Sequence, residues 1–266
     1  MRAAAVRPPR TEAIDERPSA RHSRQSRLGS PRCCMAGQRF DEHYYDEAQL
    51  AGDRTALWWY ARVIRGLRPQ GGRLLDFGCG TGHLLKRLSA HFEAYGYDPS
   101  PYARAQSRST APDAVVLEEW ESLPPDSLDV IVALHTLEHL PRPLPVVTAL
   151  AGKLASGGIF FYVVPNPGGL GHRLKGKAWF AYRDATHVSL LSQGEWAMLT
   201  RKAGLEVVRV RSDGLWDAPY VSLLPTLVQR ALFGAPAALQ VFWPFSRPFL
   251  PPALGECLIV TARKHC

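Results

Sequence analysis

The residues best suited to chemistry begin at the run Asp76-Phe77-Gly78-Cys79-Gly80-Thr81-Gly82. Glycines let a backbone turn sharply and approach a ligand closely, because no Cβ stands in the way. A helix that starts just after such a turn aims free N–H groups and the positive end of its dipole at the same spot. The run therefore suits a nucleotide-like cofactor. A dinucleotide loop needs a third glycine in the pattern GxGxxG. Counted from Gly78, that position is His83, so the NAD pattern fails. The spacing is instead G-x-G-x-G, with an acid two residues ahead of the first glycine.

Further chemistry-bearing groups follow at intervals. Asp98 stands sixteen residues beyond Gly82, where a carboxylate can accept two ribose hydroxyls. Its plainer alternative is a helix N-cap. Glu119 and Trp120 come next, Trp120 being either a lid on a base or a core aromatic. His135 and His139 flank Glu138, and His187 follows Asp184 at a distance of three. An imidazole titrates near neutrality and can act as a general base for a protonated acceptor. These histidines can equally fix local loops through backbone hydrogen bonds. Asp184 either orients His187 or caps a turn. Tyr44 and Tyr45 lie ahead of a helix through Trp58, Trp59 and Tyr60, and can flank a cationic cofactor or simply pack.

Such groups need elements to hold them. Short apolar runs alternate with amphipathic stretches from Arg73 onward. Strands are predicted at 73–77, 94–97, 114–117, 128–134, 159–164, 205–210 and 257–262. Helices are predicted at 81–90, from Tyr102, at 144–154 and at 193–203. Alternation of this kind implies a parallel sheet with helices on both faces. Ligands then bind at the carboxyl ends of the strands, beside the first strand.

With these residues in place, the chain resembles the class I S-adenosylmethionine (SAM)-dependent methyltransferases, of the small-molecule type that includes ubiquinone-pathway O-methyltransferases. Asp76 through Gly82 resembles the family's first motif, Glu119-Trp120-Glu121-Ser122-Leu123-Pro124 its D-A-x-x-L-P segment, and Leu137-Glu138-His139-Leu140 its "vlEHl" stretch. Ser156-Gly157-Gly158 and Asp184-Ala185-Thr186-His187 match two later elements. The resemblance covers roughly residues 38–212. It implies a Rossmann-like seven-stranded sheet with helices on both faces, an N-terminal helical cap and an apolar insert before the last strand. It implies SAM as cofactor. Asp76, Gly78, Cys79, Gly80, Gly82, Asp98, Glu119, Trp120, Leu134 and Tyr45 are the expected SAM-binding residues. Asp76 is implied to organise the loop and the ammonium end of methionine, Asp98 to hold the ribose, and Glu119 with Trp120 to meet the adenine. His187 and His135 are the expected catalytic residues, and no metal is expected.

Composition narrows the acceptor. Net charge is +8, but residues 1–32 hold eight arginines against three acids and few large apolar residues. Residues 1–36 are therefore expected to be a disordered tail, or sequence ahead of the true start near Met35, with the methyltransferase domain at 37–266. That placement weakens a nucleic-acid reading. Leu134-His135-Thr136-Leu137 stands where DNA amino-methyltransferases carry an Asp/Asn-Pro-Pro-aromatic box. Cysteines 33, 34, 79, 257 and 266 form no CxxC pair and no metal spacing with histidine, as in a reduced cytoplasmic chain. Residues 218–254 are apolar and broken by proline, with Arg230 and Arg247 their only charges. They are expected to be a substrate lid, with a dimer interface or a peripheral membrane contact as alternatives. The expected acceptor is a small or lipid-like molecule methylated at O or N. A nucleic-acid methyltransferase and a non-catalytic SAM-binding protein are the rival functions.

Overall fold

The computed structural model describes residues 40–47, 54–242 and 247–265. These all fall within one compact unit, residues 31–266. The tail expected at 1–36 lies outside the described residues.

The strands are β1 (Arg73–Phe77), β2 (Glu93–Tyr97), β3 (Val115–Val116), β4 (Leu128–Leu134), β5 (Leu154–Pro165), β6 (Leu205–Ser212) and β7 (Cys257–Lys264). They form one sheet in the order β3-β2-β1-β4-β5-β7-β6. Side chains alternate between faces along a strand, and the sequence uses both faces. Leu74, Val130, Val132, Phe161 and Val163 pack on one side against Trp59, Tyr60, Val63, Ile64, Leu84 and Leu88. Those six come from α2 (Thr55–Leu67) and α3 (His83–Ser89). Leu75, Ile131, Ala133, Phe160 and Tyr162 face the other way, onto Val146, Val147, Leu150, Trp196 and Leu199. These belong to α5 (Pro143–Lys153) and α7 (Gln193–Lys202). Burial on both faces explains why the central strands read as nearly unbroken apolar runs.

β1 and β4 have the predicted bounds, and the other elements move for local reasons. The first crossover helix begins at His83 rather than Thr81, because Gly82 has φ 87°, in the left-handed region. The next helix, α4 (Pro101–Thr110), starts one residue earlier than predicted. Ser100 accepts the amide of Ala103 at 3.2 Å, and Pro101 needs no hydrogen-bond partner for the N–H it lacks. α7 opens on a reciprocal capping box between Ser192 and Glu195. β5 begins at Leu154, ahead of Gly157-Gly158, with an irregular register against Leu128 and Val130.

The expected all-parallel sheet needs correction. β7 runs antiparallel to both β5 and β6. Antiparallel neighbours need no crossover over a face, and the β6–β7 connection makes none. Strands β1 to β5 stay parallel, which preserves the point beside β1 where crossovers diverge.

The insert holds a helix, α8 (Thr226–Phe242), and its polarity is inverted. Its fully buried residues are Gln229 and Gln240. Gln229 accepts the amides of Tyr220 and Val221 and donates to the carbonyls of Val221 and Leu224. Gln240 accepts from Phe249 and Leu250 and donates to Ser212. The outward face carries Leu227, Val228, Leu232, Leu239 and Phe242, with Leu223 just ahead of the helix 92% exposed. Buried glutamines thus tie the insert down through backbone groups, and its apolar side chains face outward.

Candidate functional site

A cavity opens at the carboxyl ends of β1 and β4. Its wall includes Asp76, Gly78, Cys79, Gly80, Gly82, Asp98, Leu134, His135 and Tyr45, nine of the twelve residues expected from sequence. Phe40, Tyr44, Arg54, Leu57, Thr81, His83, Leu84, Pro99, Thr136 and His139 complete it.

The loop geometry needs its glycines. Gly78 has φ 82°, and a Cβ there would be driven into the Thr136 side chain. Gly82 stands as close to Ser107. Both glycines therefore serve tight packing. Gly80, at φ 52°, faces only Tyr45 at 3.6 Å and leaves its backbone open to the cavity. The amides of Gly78 and Cys79 both reach the carbonyl of Tyr97, which binds the loop to the end of β2.

Two carboxylates carry the electrostatics. Asp76 is 1% exposed, and its Oδ2 has no hydrogen-bond partner among the described residues. Burial, with the charge of Asp98 as a lesser cause, pushes its carboxyl up to about 7. A buried carboxylate at a cavity wall without a donor is costly unless a cation meets it. That fits the ammonium end of SAM. Asp98 also sits above the usual carboxylate range through burial, partly offset by the amides of Ser100 and Gly80 and by Tyr45. Its Oδ1 accepts Ser100 N at 2.9 Å and the Tyr45 hydroxyl at 3.1 Å, and its Oδ2 accepts Gly80 N at 3.0 Å. Ser100, not Asp98, caps α4. The Tyr45 hydroxyl stands where a ribose hydroxyl would donate, and α1 (Glu42–Glu47) brings it there. The residues present fit SAM at both ends of the loop.

Three expected site residues fall outside the cavity wall. Of the two readings of Trp120, the core aromatic is the one its burial favours. Its side chain is 2% exposed and packs edge-on against Phe77, with ring centroids 5.6 Å apart. Glu119 is exposed. His187 lies behind His139, with ring centroids 4.8 Å apart, and its Nδ1 is 2.8 Å from the Ala181 carbonyl. Asp184 mainly shapes its own turn. Its Oδ1 accepts the Thr186 amide and hydroxyl, and its Oδ2 accepts the Tyr44 hydroxyl at 3.2 Å while lying 3.7 Å from His187 Nε2.

The end of β4 holds the remaining titratable groups. His135 has φ 52°, uncommon for a residue with a Cβ and a conformation that collects at functional sites. Leu137–His139 form a single 3₁₀ turn. Glu138 is fully buried, and His135 Nδ1 approaches its Oε1 at 3.4 Å. Burial raises the Glu138 carboxyl, but His135, His139 and His187 outweigh it and hold the group below the usual range. Burial lowers the His139 imidazole, with the charge of Glu138 opposing it. The carbonyl of Glu138 accepts the amides of Val188 and Ser189, which joins segments about 50 residues apart in sequence. Sequence spacing carried no signal for that junction, nor for Thr136 opposite Gly78.

The sequence profile of the family described as "Methyltransferase domain" matches residues 42–210. A ubiquinone biosynthesis O-methyltransferase of Aeromonas salmonicida is 34% identical over 105 residues, 36% of this chain and 44% of that protein. One from Neisseria meningitidis is 26% identical over 155 residues, 52% of this chain and 65% of that protein. The chain thus spans less than two thirds of the curated relatives it matches. Among solved structures, a SAM-dependent methyltransferase of Thermotoga maritima aligns with TM-score 0.59 at 19% identity, covering 84% of this chain and 95% of that one. A SAM-dependent methyltransferase of Archaeoglobus fulgidus aligns with TM-score 0.54 at 20% identity, covering 84% and 100%. The chain belongs to the class I SAM-dependent methyltransferase family.

Proposed function

We propose that this protein transfers a methyl group from SAM to a hydroxyl of a small, lipid-like acceptor. The observation that carries this is the group His135, Glu138 and His139 at the end of β4, beside the cofactor loop. When bound, SAM supplies an electrophilic methyl on a sulfonium. Displacement at that carbon is in line, so the protein's task is to hold the acceptor close and correctly aligned. An amine acceptor needs no base once neutral, whereas a hydroxyl gains from one. His135, 30% exposed on the cavity wall and held beside the buried Glu138, is placed to take that proton. His187, the other expected base, sits one ring further back.

The names of the ubiquinone-pathway relatives support an oxygen acceptor with an apolar body. The outward apolar face of α8 supports the same class, as a peripheral contact that reaches acceptors dissolved in a membrane. No described helix is long and apolar enough to cross a membrane.

The test is methyl transfer from labelled SAM to a panel of aromatic phenols with and without prenyl tails, beside matched anilines. An O-methylated, tailed phenol as the best product supports the proposal. Preferential methylation of the anilines, or of none of the panel, contradicts it.

A further inference from the structure

Trp216 is the one exposed tryptophan among the described residues, with 48% of its surface in solvent. A single exposed apolar side chain is ordinary. What sets Trp216 apart is how firmly it is held. Its Nε1–H donates to Asp213 Oδ2 at 2.6 Å, and its ring packs on Phe180 with centroids 4.9 Å apart. Hydrogen bonds to a carboxylate are among the stronger kind. Asp213 is fixed in turn, because its Oδ1 accepts the Cys257 amide at 2.8 Å. The residue after Trp216 is tied as well. Asp217 pairs with Lys175 and Arg183, and its amide donates to the Tyr220 hydroxyl, which donates to Glu256 Oε1 at 2.6 Å. A surface side chain on a loose loop loses rotamer and backbone freedom when a ligand orders it. An aromatic ring already held in place loses little more, which is why rigid tryptophans serve as anchors in binding sites.

Trp216 also stands at the reactive edge of the sheet. Leu134 pairs with Val163, Val163 with Ile259, and Ile259 with Arg211. These four residues form one row across β4, β5, β7 and β6, three strand spacings or about 14 Å from end to end. His135 is one residue beyond the row at the β4 end, and Asp213 two residues beyond it at the β6 end. Both ends rest on one face of the sheet. Leu134 of the cavity wall and the Phe180 that Trp216 packs on lie against the same apolar cluster, which includes Tyr60 and Cys257. Burial raises the Asp213 carboxyl, and the Cys257 amide, the Trp216 indole and the charge of His135 oppose that rise.

We infer that Trp216 is the residue that binds the apolar body of the methyl acceptor, with Asp213 positioning its ring. The acceptor's reactive group lies at His135, and its body crosses the ends of β5 and β7 to rest on the indole. The inference rests on the proposed lipid-like acceptor, and does not depend on whether oxygen or nitrogen takes the methyl group. Trp216 then separates tailed from tailless acceptors and leaves the chemical step to other groups. A tailless ring held at His135 is too short to reach it.

The full chain, loaded with S-adenosylhomocysteine, is titrated calorimetrically with 2-geranylphenol, with phenol and with the matching anilines. Covering a few methylene groups on the indole should make the wild type bind the geranyl compounds about tenfold more tightly than the tailless ones, or better. Trp216→Ala should remove most of that preference, and Trp216→Phe should keep it. Asp213→Asn, which retains an acceptor for the indole, should keep the preference, and Asp213→Ala should lose it without changing the binding of phenol. Unaltered S-adenosylhomocysteine binding shows that each variant is folded. In turnover, Trp216→Ala should raise KM for 2-geranylphenol and leave kcat within about twofold. A tail preference unchanged in Trp216→Ala overturns the inference alone. Equal binding of tailed and tailless compounds by the wild type overturns it together with the lipid-like acceptor. Tighter binding of the anilines with the tail effect intact contradicts the hydroxyl reading and supports the role of Trp216.

Discussion

Asp76 offers the sharpest handle on the cofactor site. In the free protein its carboxyl titrates at about 7, raised from 3.8 by burial and then by Asp98. An ammonium group binds the ionised form. Binding therefore expels the proton from Asp76, and SAM affinity must rise with pH until the group is ionised in the free protein. With a free-state pKa near 7, the ionised fraction grows about 15-fold between pH 5.5 and 7.0, and affinity grows with it. Measurement belongs below pH 7.5, because a free α-amino group titrates at about 7.7–8.0. Isothermal titration in buffers of different ionisation heat should register close to one proton released per SAM at pH 6. Asp76→Asn should bind weakly and without this slope. A wild-type affinity constant within twofold from pH 5.5 to 7.0, or an unchanged slope in Asp76→Asn, would refute the reasoning. The same shift acts on stability. A carboxyl raised on folding favours the folded state below its unfolded pKa of 3.8, and that contribution is lost as pH climbs through 7. Without SAM, Asp76→Asn should therefore be more stable than the wild type at pH 8, by up to about 4 kcal/mol.

Other substitutions separate cofactor loop, core and insert. Gly78→Ala should abolish SAM binding in titration, because the left-handed backbone and the Thr136 side chain leave no room for a methyl. Trp120→Ala should cost about 3–5 kcal/mol in denaturant unfolding while leaving the SAM dissociation constant within about threefold, since the indole fills the core and is absent from the cavity wall. A weakening of SAM binding beyond tenfold would restore Trp120 as an adenine contact. Replacing Leu227, Leu232 and Phe242 together by serine should remove binding to anionic vesicles in flotation without lowering the melting temperature, because all three are exposed. Retained flotation would leave the apolar face to a protein partner.

Much of the site was legible because its parts are local. Asp76 through Gly82 run from the end of β1 into its turn, and Asp98 directly follows the strand beside it, so spacing alone placed them on one edge. β1 and β4 were legible to the residue because both faces are largely buried and their composition is mostly apolar. Trp120 was ambiguous for a physical reason. A tryptophan after a strand end can turn either way, and its direction depends on Phe77 and the core around Leu123. The direction of β7 was hidden because the periodicity of a strand carries no sign. α8 was hidden by its inverted polarity, since glutamines at buried positions and leucines at exposed ones remove the usual amphipathic pattern. The Glu138–His139–His187 group was invisible to motif spacing because backbone hydrogen bonds between distant segments assemble it.

The central claim is that the cavity at the ends of β1 and β4 is the SAM site. A crystal structure with S-adenosylhomocysteine tests it most directly. The ribose hydroxyls should bond to the Asp98 carboxylate, with the Tyr45 hydroxyl displaced or sharing that acceptor, and the amino group should lie within hydrogen-bond distance of Asp76. A nucleoside bound away from Asp98, or an amino group facing any wall but that of Asp76, would contradict the claim.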